Sequence, residues 1–457
     1  MSATSKATWN LDQLKRELSS RGEVKGWIVQ TEHVHRRERY FMCDGPGRAL
    51  IADQDRDVRQ HSVYARIHVK LPRPGRQGEI TKKLFPMIPL KDQLDSAIAA
   101  ALETDHQSWE LSPSPPSRLP ERRTTDPKMA EDLDRVMVEM TDRVGRAVAK
   151  KRKSEFNSSE LFLSVHDREE HLSNGLVHRS SQSRIYAEAA FSFRKDGQSD
   201  EYLNTRWAVS LGDLDIEKLF DETAARAERS LDVEKPKTGR YSVIVDAEVL
   251  ATLFNGHLTQ LSAANAYNGL PFVKPGDEMI AGGTGDALTI ALDPSLEFGA
   301  DAAAVSDQGT PQEKLVLVRD NKVLATTSDK QYADYLSSSP TTVRGDVVVE
   351  AGTLSYDELT KAEHQVLEIL QFSGLFSDPN SGTFSSEIRL GRLYDRATGQ
   401  VKFVKGGSLS GSVLENFKGA RFSKERVRRA HFNSNSLRGE GYYGPEFALL
   451  RDVSVVS

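Results

Sequence analysis

The chain has 457 residues, about three times a usual domain length, so two or three domains are expected. Its composition, 38% hydrophobic and 28% charged with 32 glycines, excludes a largely disordered chain. The 61 basic and 66 acidic residues leave a formal charge of −5, which argues against a dedicated nucleic-acid binder. The one cysteine, Cys43, can make neither an internal disulfide nor a thiolate metal cage, so a reducing, cytoplasmic compartment is expected. The first ten residues hold no apolar leader core, and no run approaches the ~20 apolar residues of a membrane helix.

In chain order, Asn10 with Gln13 reads as the N-cap of a short helix carrying Leu11, Leu14 and Leu18. Strand-like runs follow at 26–30 and 62–71, then a helix over 90–103. Residues 112–128 hold Pro113, Pro115, Pro116, Pro120 and Pro127 and read as an exposed proline-rich loop. An amphipathic helix is predicted from Leu133 through Val148, strands at 161–165 and 185–193, and a helix over 213–231. The first 234 residues thus read as an α+β domain in which helix, strands and helix occur twice. Pro236 and Gly239, flanked by lysines, mark a break, and residues 235–457 form a second unit. That unit opens with a strand at 241–245 and a helix at 248–264. It continues as short strands at 314–318, 322–326, 347–350 and 401–404. A helix capped by Ser355 with Glu358 is predicted to run to about residue 370. The expected fold class is α+β in two domains, the second β-rich with flanking helices.

Several constellations invite a chemical reading. His166 and His171 bracket two glutamates, but five residues apart on a strand they point to opposite faces, and a solvated strand end is expected. His33, His35 and Cys43 form a loose cluster crowded by Arg36, Arg37 and Arg39, which disfavour a cation. Residues 407–411 (GSLSG) miss the nucleophile-elbow spacing and read as a serine turn. Residues 282–286 (GGTGD) lack the lysine of a phosphate loop. The basic run 424–429 (KERVRR) reads as a solvated helical or loop face.

The segments from Tyr241 onward, taken in order, resemble the TldD/TldE (PmbA) peptidase family. The resemblance is carried by YSVIVDAEVLATLFNGHLTQLSAANAYNGLPFV (241–273), SDQGTPQEKLVLVRDNKVLATTSDKQYADYL (306–336), VVVEAGTLSYDEL (347–359) and FSGLFSDPNSGTFSSEIRLGRLYD (372–395). YARIHVKLPRPGRQGEITKKLFP (64–86) and LSNG (172–175) extend it weakly into the first half. One kind of family chain carries H-E-x-x-x-H on the helix after the first of these strands, with a late cysteine, and binds a catalytic zinc; the other kind lacks them and pairs with the first. Laying Leu253 and Phe254 on the apolar pair before that motif sets Asn255 and Gln260 at the histidine positions and Gly256 at the glutamate. His257 falls between ligand positions, and 438–445, where the cysteine would stand, has none. Neutral amides are poor zinc ligands and glycine cannot act as a base. Residues 380–385 (NSGTFS) lack the family's usual aspartate before the phenylalanine, and 406–411 do not match its T-I-A-G-N closely, so the chain is divergent.

The resemblance implies a TldE/PmbA-like, non-metal subunit with no catalytic or metal-binding residue and no cofactor of its own. Zinc would reside in a TldD-like partner of a heterodimeric metallopeptidase, and unfolded or precursor peptides would be its substrate. No nucleic-acid or membrane partner is expected. The alternative is a homodimeric peptide-binding scaffold without enzymatic activity.

Overall fold

The computed structural model describes residues 9–43, 50–112, 119–433 and 438–457. The first half contains α1 (Leu11–Ser20), β1 (Val24–Cys43), β2 (Leu50–Lys70), β3 (Arg76–Leu84), α2 (Leu90–Leu102) and β4 (His106–Gln107). It continues with α3 (Pro127–Glu131), α4 (Leu133–Ala149), β5 (Glu155–Leu172), β6 (Val177–Lys195), β7 (Gln198–Ala208) and α5 (Ile216–Arg229). The order helix, three strands, helix therefore occurs twice, as α1 to α2 and as α4 to α5. Each trio is an antiparallel meander, and the two meet where β1 pairs antiparallel with β5. The cores follow the same division. Leu14, Leu94 and Ile98 cover Val29, Val63 and Ile67 in one, while Val136, Met140, Leu219 and Phe220 cover Leu161, Ile185 and Phe191 in the other. Such stripes recur at helical spacing because each helix has one sheet face to cover. Asn10, Asp132 and Asp215 cap α1, α4 and α5 by accepting a backbone N–H.

The second half contains β8 (Gly239–Asp246), α6 (Ala247–Gln260), α7 (Ala263–Tyr267), β9 (Ile290–Asp293), β10 (Leu315–Arg319) and β11 (Lys322–Val323). Then come α8 (Lys330–Tyr335), β12 (Asp346–Val349), α9 (Tyr356–Leu359), β13 (Gln365–Phe372), β14 (Phe376–Asp378), β15 (Thr383–Asp395) and β16 (Gln400–Val404). β17 (Ser408–Ser412), α10 (Val413–Asn416), β18 (Arg421–Phe422), β19 (Arg426–Phe432), β20 (Gly439–Pro445) and β21 (Phe447–Val456) complete it. Strands β13, β8, β21, β17 and β15 pair in that order, and β15 pairs back onto β13, closing a ring. Strands β14 and β16 pair with β15 and β18 pairs with β21, while β9 to β12, β19 and β20 extend the sheet of the first half, in the order β11-β10-β9-β12-β20-β19-β7. The halves thus share one sheet, joined where Ala430 pairs with Trp207. Leu390 of β15 also enters the core of the first half, and Tyr202 Oη donates to Arg389 O at 2.7 Å.

Four sequence expectations are corrected. The helix expected to run from Ser355 to about residue 370 stops at Leu359; its capping box is present, but residues 365–372 form strand β13. Val366, Leu367 and Ile369 are buried in the ring, and a fully buried strand reads as the same apolar run that a buried helix gives. The basic run at 424–429 leads into β19, the strand that joins the halves. The serine turn at 407–411 is largely strand β17. The strand bearing His166 and His171 runs on to Leu172, so both lie within a sheet instead of at a solvated end. Part of the proline-rich loop, 113–118, lies outside the described residues. The described remainder is held in place: Thr124 Oγ1 donates to Ser181 O, and Asp126, which caps α3, accepts from Leu211 N.

Candidate functional site

Helix α6 leaves β8 without a loop, because Asp246 accepts from both Glu248 N and Val249 N and so starts the helix at the strand's end. Its apolar face, Leu250, Leu253 and Phe254, packs in the core of the second half with Val243 and Val245 of the ring and Tyr442 of the large sheet. Phe254 stacks on Tyr442 with centroids 6.1 Å apart and meets Phe417 edge-on at 5.7 Å. The register of that face decides where residues 255–260 point.

Asn255 points out of the core, and its Nδ2 donates to Glu440 Oε2 of β20 at 3.2 Å. Glu440 lies in the segment laid on the family's late cysteine, so the helix and that segment do meet here. Gln260 is buried, and its side-chain amide is fully engaged with backbone. Nε2 donates to Pro379 O at 2.9 Å and to Asn380 O at 3.1 Å, while Oε1 accepts from Phe272 N at 3.0 Å. Gly256 lies under the same loop, where a Cβ would stand 3.8 Å from Pro379 Cα. His257 points the other way, into the core, with no exposed surface. Its ring lies 5.5 Å from Phe254 and 5.2 Å from Phe417, its Nδ1 is 3.3 Å from Leu253 O, and burial pulls its pKa down to about 4.

The positions laid on the family motif in the sequence thus bear an amide on a carboxylate, a glycine and an amide on backbone carbonyls. This set does not fit a zinc ion, whose ligands are imidazole, thiolate or carboxylate. Among the described residues no group of three such side chains is arranged to hold a metal.

The other candidate clusters come apart. His166 Nδ1 lies 3.3 Å from Glu32 Oε1, while His171 Nε2 lies 2.8 Å from Glu169 Oε1, each on its own face of β5. His33 stacks on His61 with centroids 3.9 Å apart, and His35 pairs with Asp57 at 3.0 Å. Cys43 lies eight residues further along the extended β1, about 26 Å from His35 at the rise of a strand, so these three residues form no metal site. In the 282–286 segment, Asp286 accepts from Phe422 N at 2.8 Å and pairs with Arg421 at 2.8 Å, a structural tie with no phosphate cradle.

Sequence reasoning missed the cleft beside α6. The helix's solvent side, with Glu248, Val249 and Thr252, faces residues 369–372 and Leu375 across a groove of about 260 Å³. Next to this groove lies β14, whose sole strand partner among the described residues is β15, and Phe376 on it is 66% exposed. A strand with one free edge can accept an extended chain by backbone pairing.

Residues 238–456 match the PmbA/TldA metallopeptidase C-terminal domain. A metalloprotease from Methanothermobacter thermautotrophicus is 24% identical over 222 residues, a match covering 45% of this chain and about half, 47%, of that protein. The fold is similar over its whole length to three solved structures. TldE from Thermococcus kodakarensis superposes with a TM-score of 0.76 at 16% identity, covering 99% of this chain and 100% of that one. A candidate modulator of DNA gyrase from Bacteroides thetaiotaomicron gives 0.77 at 16% identity, covering 99% of each chain. Another from Thermotoga maritima gives 0.74 at 17%, covering 98% and 99%. These likenesses define an α+β protein with the fold of those three structures. Residues 238–456 are thus similar to the C-terminal domain of that metallopeptidase family, and the whole chain shares the fold of the three solved structures.

Proposed function

We propose that this chain is the metal-free, TldE-like subunit of a two-chain peptidase, in which a TldD-like partner carries the zinc and this chain completes the peptide cleft. The division at residues 235–241 and a cytoplasmic location belong to the same reading. The observation that carries it is the state of Asn255, Gly256 and Gln260, where hydrogen bonding to Glu440 and to the 379–380 loop replaces a ligand set. The chain's own contribution would be positional. The groove along α6 and the free edge of β14 suit an extended, unfolded peptide, since a folded one offers no unpaired backbone to add.

The test is an assay of this chain alone, of a family chain bearing H-E-x-x-x-H alone, and of their mixture, on an unstructured peptide. Cleavage in the mixture, abolished by a chelator and absent with this chain alone, is expected. Chelator-resistant cleavage by this chain alone would overturn the proposal in favour of an independent hydrolase. No cleavage by any arm, with a stable dimer of this chain, would favour the scaffold reading.

A further inference from the structure

The groove beside α6 does not end at Asp246. It opens past Arg206 and Arg226 into a cavity of about 480 Å³ between α5, β13 and β15. The apolar part of its wall comes from Ile369, Leu370, Phe403 and Phe447.

The cavity's charges are almost all engaged. Arg392 pairs with Glu368 at 2.7 Å and donates to Tyr356 Oη at 2.9 Å. Arg206 reaches Glu222 at 3.5 Å and Glu248 at 3.3 Å, and Arg429 holds Glu248 at 3.2 Å. Asp246 is committed to the N-cap of α6, and Glu446 faces Lys218 at 3.6 Å. Arg229 lies over the Phe403 ring at 5.3 Å and is exposed. Arg226 differs. Its side chain lines both the groove and the cavity, and it has no hydrogen bond or ion pair among the described residues. Burial weighs most against its charge, the nearby carboxylates of Asp246, Glu222 and Glu368 offset only part of that, and none forms an ion pair with it. A half-buried guanidinium with five N–H donors and no acceptor is poorly satisfied, and a planar anion answers it bidentately.

We propose that the cavity binds a carboxylate, seated on Arg226 with its hydrocarbon body against Leu370 and Phe403. It is contributed by the peptide lying in the groove, either as an acidic side chain or as the chain's C-terminus. The peptide part rests on the function proposed above; the carboxylate site does not.

The probes separate the two. The first is 3-phenylpropionate against 3-phenylpropionamide, with binding read by ligand-observed NMR on the full chain. The acid should bind and the amide should not. Arg226→Gln should weaken the acid tenfold or more with the unfolding midpoint unchanged, and Arg226→Lys should restore part of the loss. Equal binding of acid and amide, or an acid indifferent to Arg226→Gln, overturns the site. The second probe is a set of unstructured peptides with a free or amidated C-terminus and with Glu or Gln near it, in competition with 3-phenylpropionate. Displacement by the free-terminus form or by the Glu form shows which source the pocket takes. If the acid binds through Arg226 and no peptide displaces it, the site stands and the peptide reading of the groove fails.

Discussion

His257 is the imidazole in α6, the side-chain type a zinc ion favours, and it is turned away from the cleft into the core. Its buried ring has a pKa of about 4, against 6.5 when exposed. A base with a depressed folded pKa contributes stability that is complete above pH 6.5 and is lost as pH falls toward 4. Relative to His257→Leu, the native chain should therefore lose about 1.4 kcal/mol per pH unit across that window, about 3 kcal/mol in all. Denaturant unfolding of the pair at pH 7.5, 5.5 and 4.5 measures it, and a constant difference would disprove the buried neutral ring. Gln260 gives a second prediction. Its amide ties two loops to the end of α6, so Gln260→Ala should cost about 1–3 kcal/mol and speed proteolysis around 379–380. A loss below about 0.5 kcal/mol would show that the loops hold themselves. Asn255, Gly256 and Gln260 could be singled out in the sequence because the ordered series of resembling segments offers a register for them. Glu440 and Arg226 were not. Glu440 meets Asn255 from 185 residues away, and Arg226 faces outward on α5, where its environment is built by β13 and β15.

Among the elements, one very close approach lies at the β12–β20 pair, where Val347 faces Tyr442. Asp346 opens β12 fully buried, accepting from Ala300 N at 3.2 Å and Asp301 N at 2.9 Å, and burial pushes its pKa up to about 7. A Cβ on Gly441 would sit 2.0 Å from Asp346 Cγ. Asp346 cannot step aside without stranding two buried N–H groups, so Gly441→Ala should cost 3 kcal/mol or more, at or beyond the usual range of about 1–3 kcal/mol for overpacking. Gly374→Ala, where a Cβ meets nothing within 4 Å, should leave the thermal midpoint unchanged. Equal midpoints for the two variants would refute the close contact. The helices of the first half were readable because each keeps one apolar stripe over one sheet face. The strands were read too short: β1 and β2 run 20 and 21 residues, and their outer stretches are rich in charge, partly buried from about residue 31 onward in β1 and almost wholly exposed before 62 in β2. The 355–370 segment failed for the opposite reason. β13 buries Val366, Leu367 and Ile369 in adjacent positions without strict alternation, and only its pairing with β8 and β15 makes it a strand.

At the scale of the molecule, two copies of a helix–meander–helix unit build one sheet, and the second half both extends that sheet and closes a ring beside it. α6 is the element common to both, packed against β8 of the ring and β20 of the sheet. The cleft therefore lies where the two substructures meet, which suits a chain that presents one wall of a shared site. The most direct measurement is native mass spectrometry of this chain mixed with a zinc-motif family chain, with metal content read from the same peaks. One copy of each chain with a single zinc, and no zinc on this chain when sprayed alone, is the expected result. Stoichiometric zinc on this chain alone, or its persistence as a homodimer in the presence of the second chain, would contradict the account.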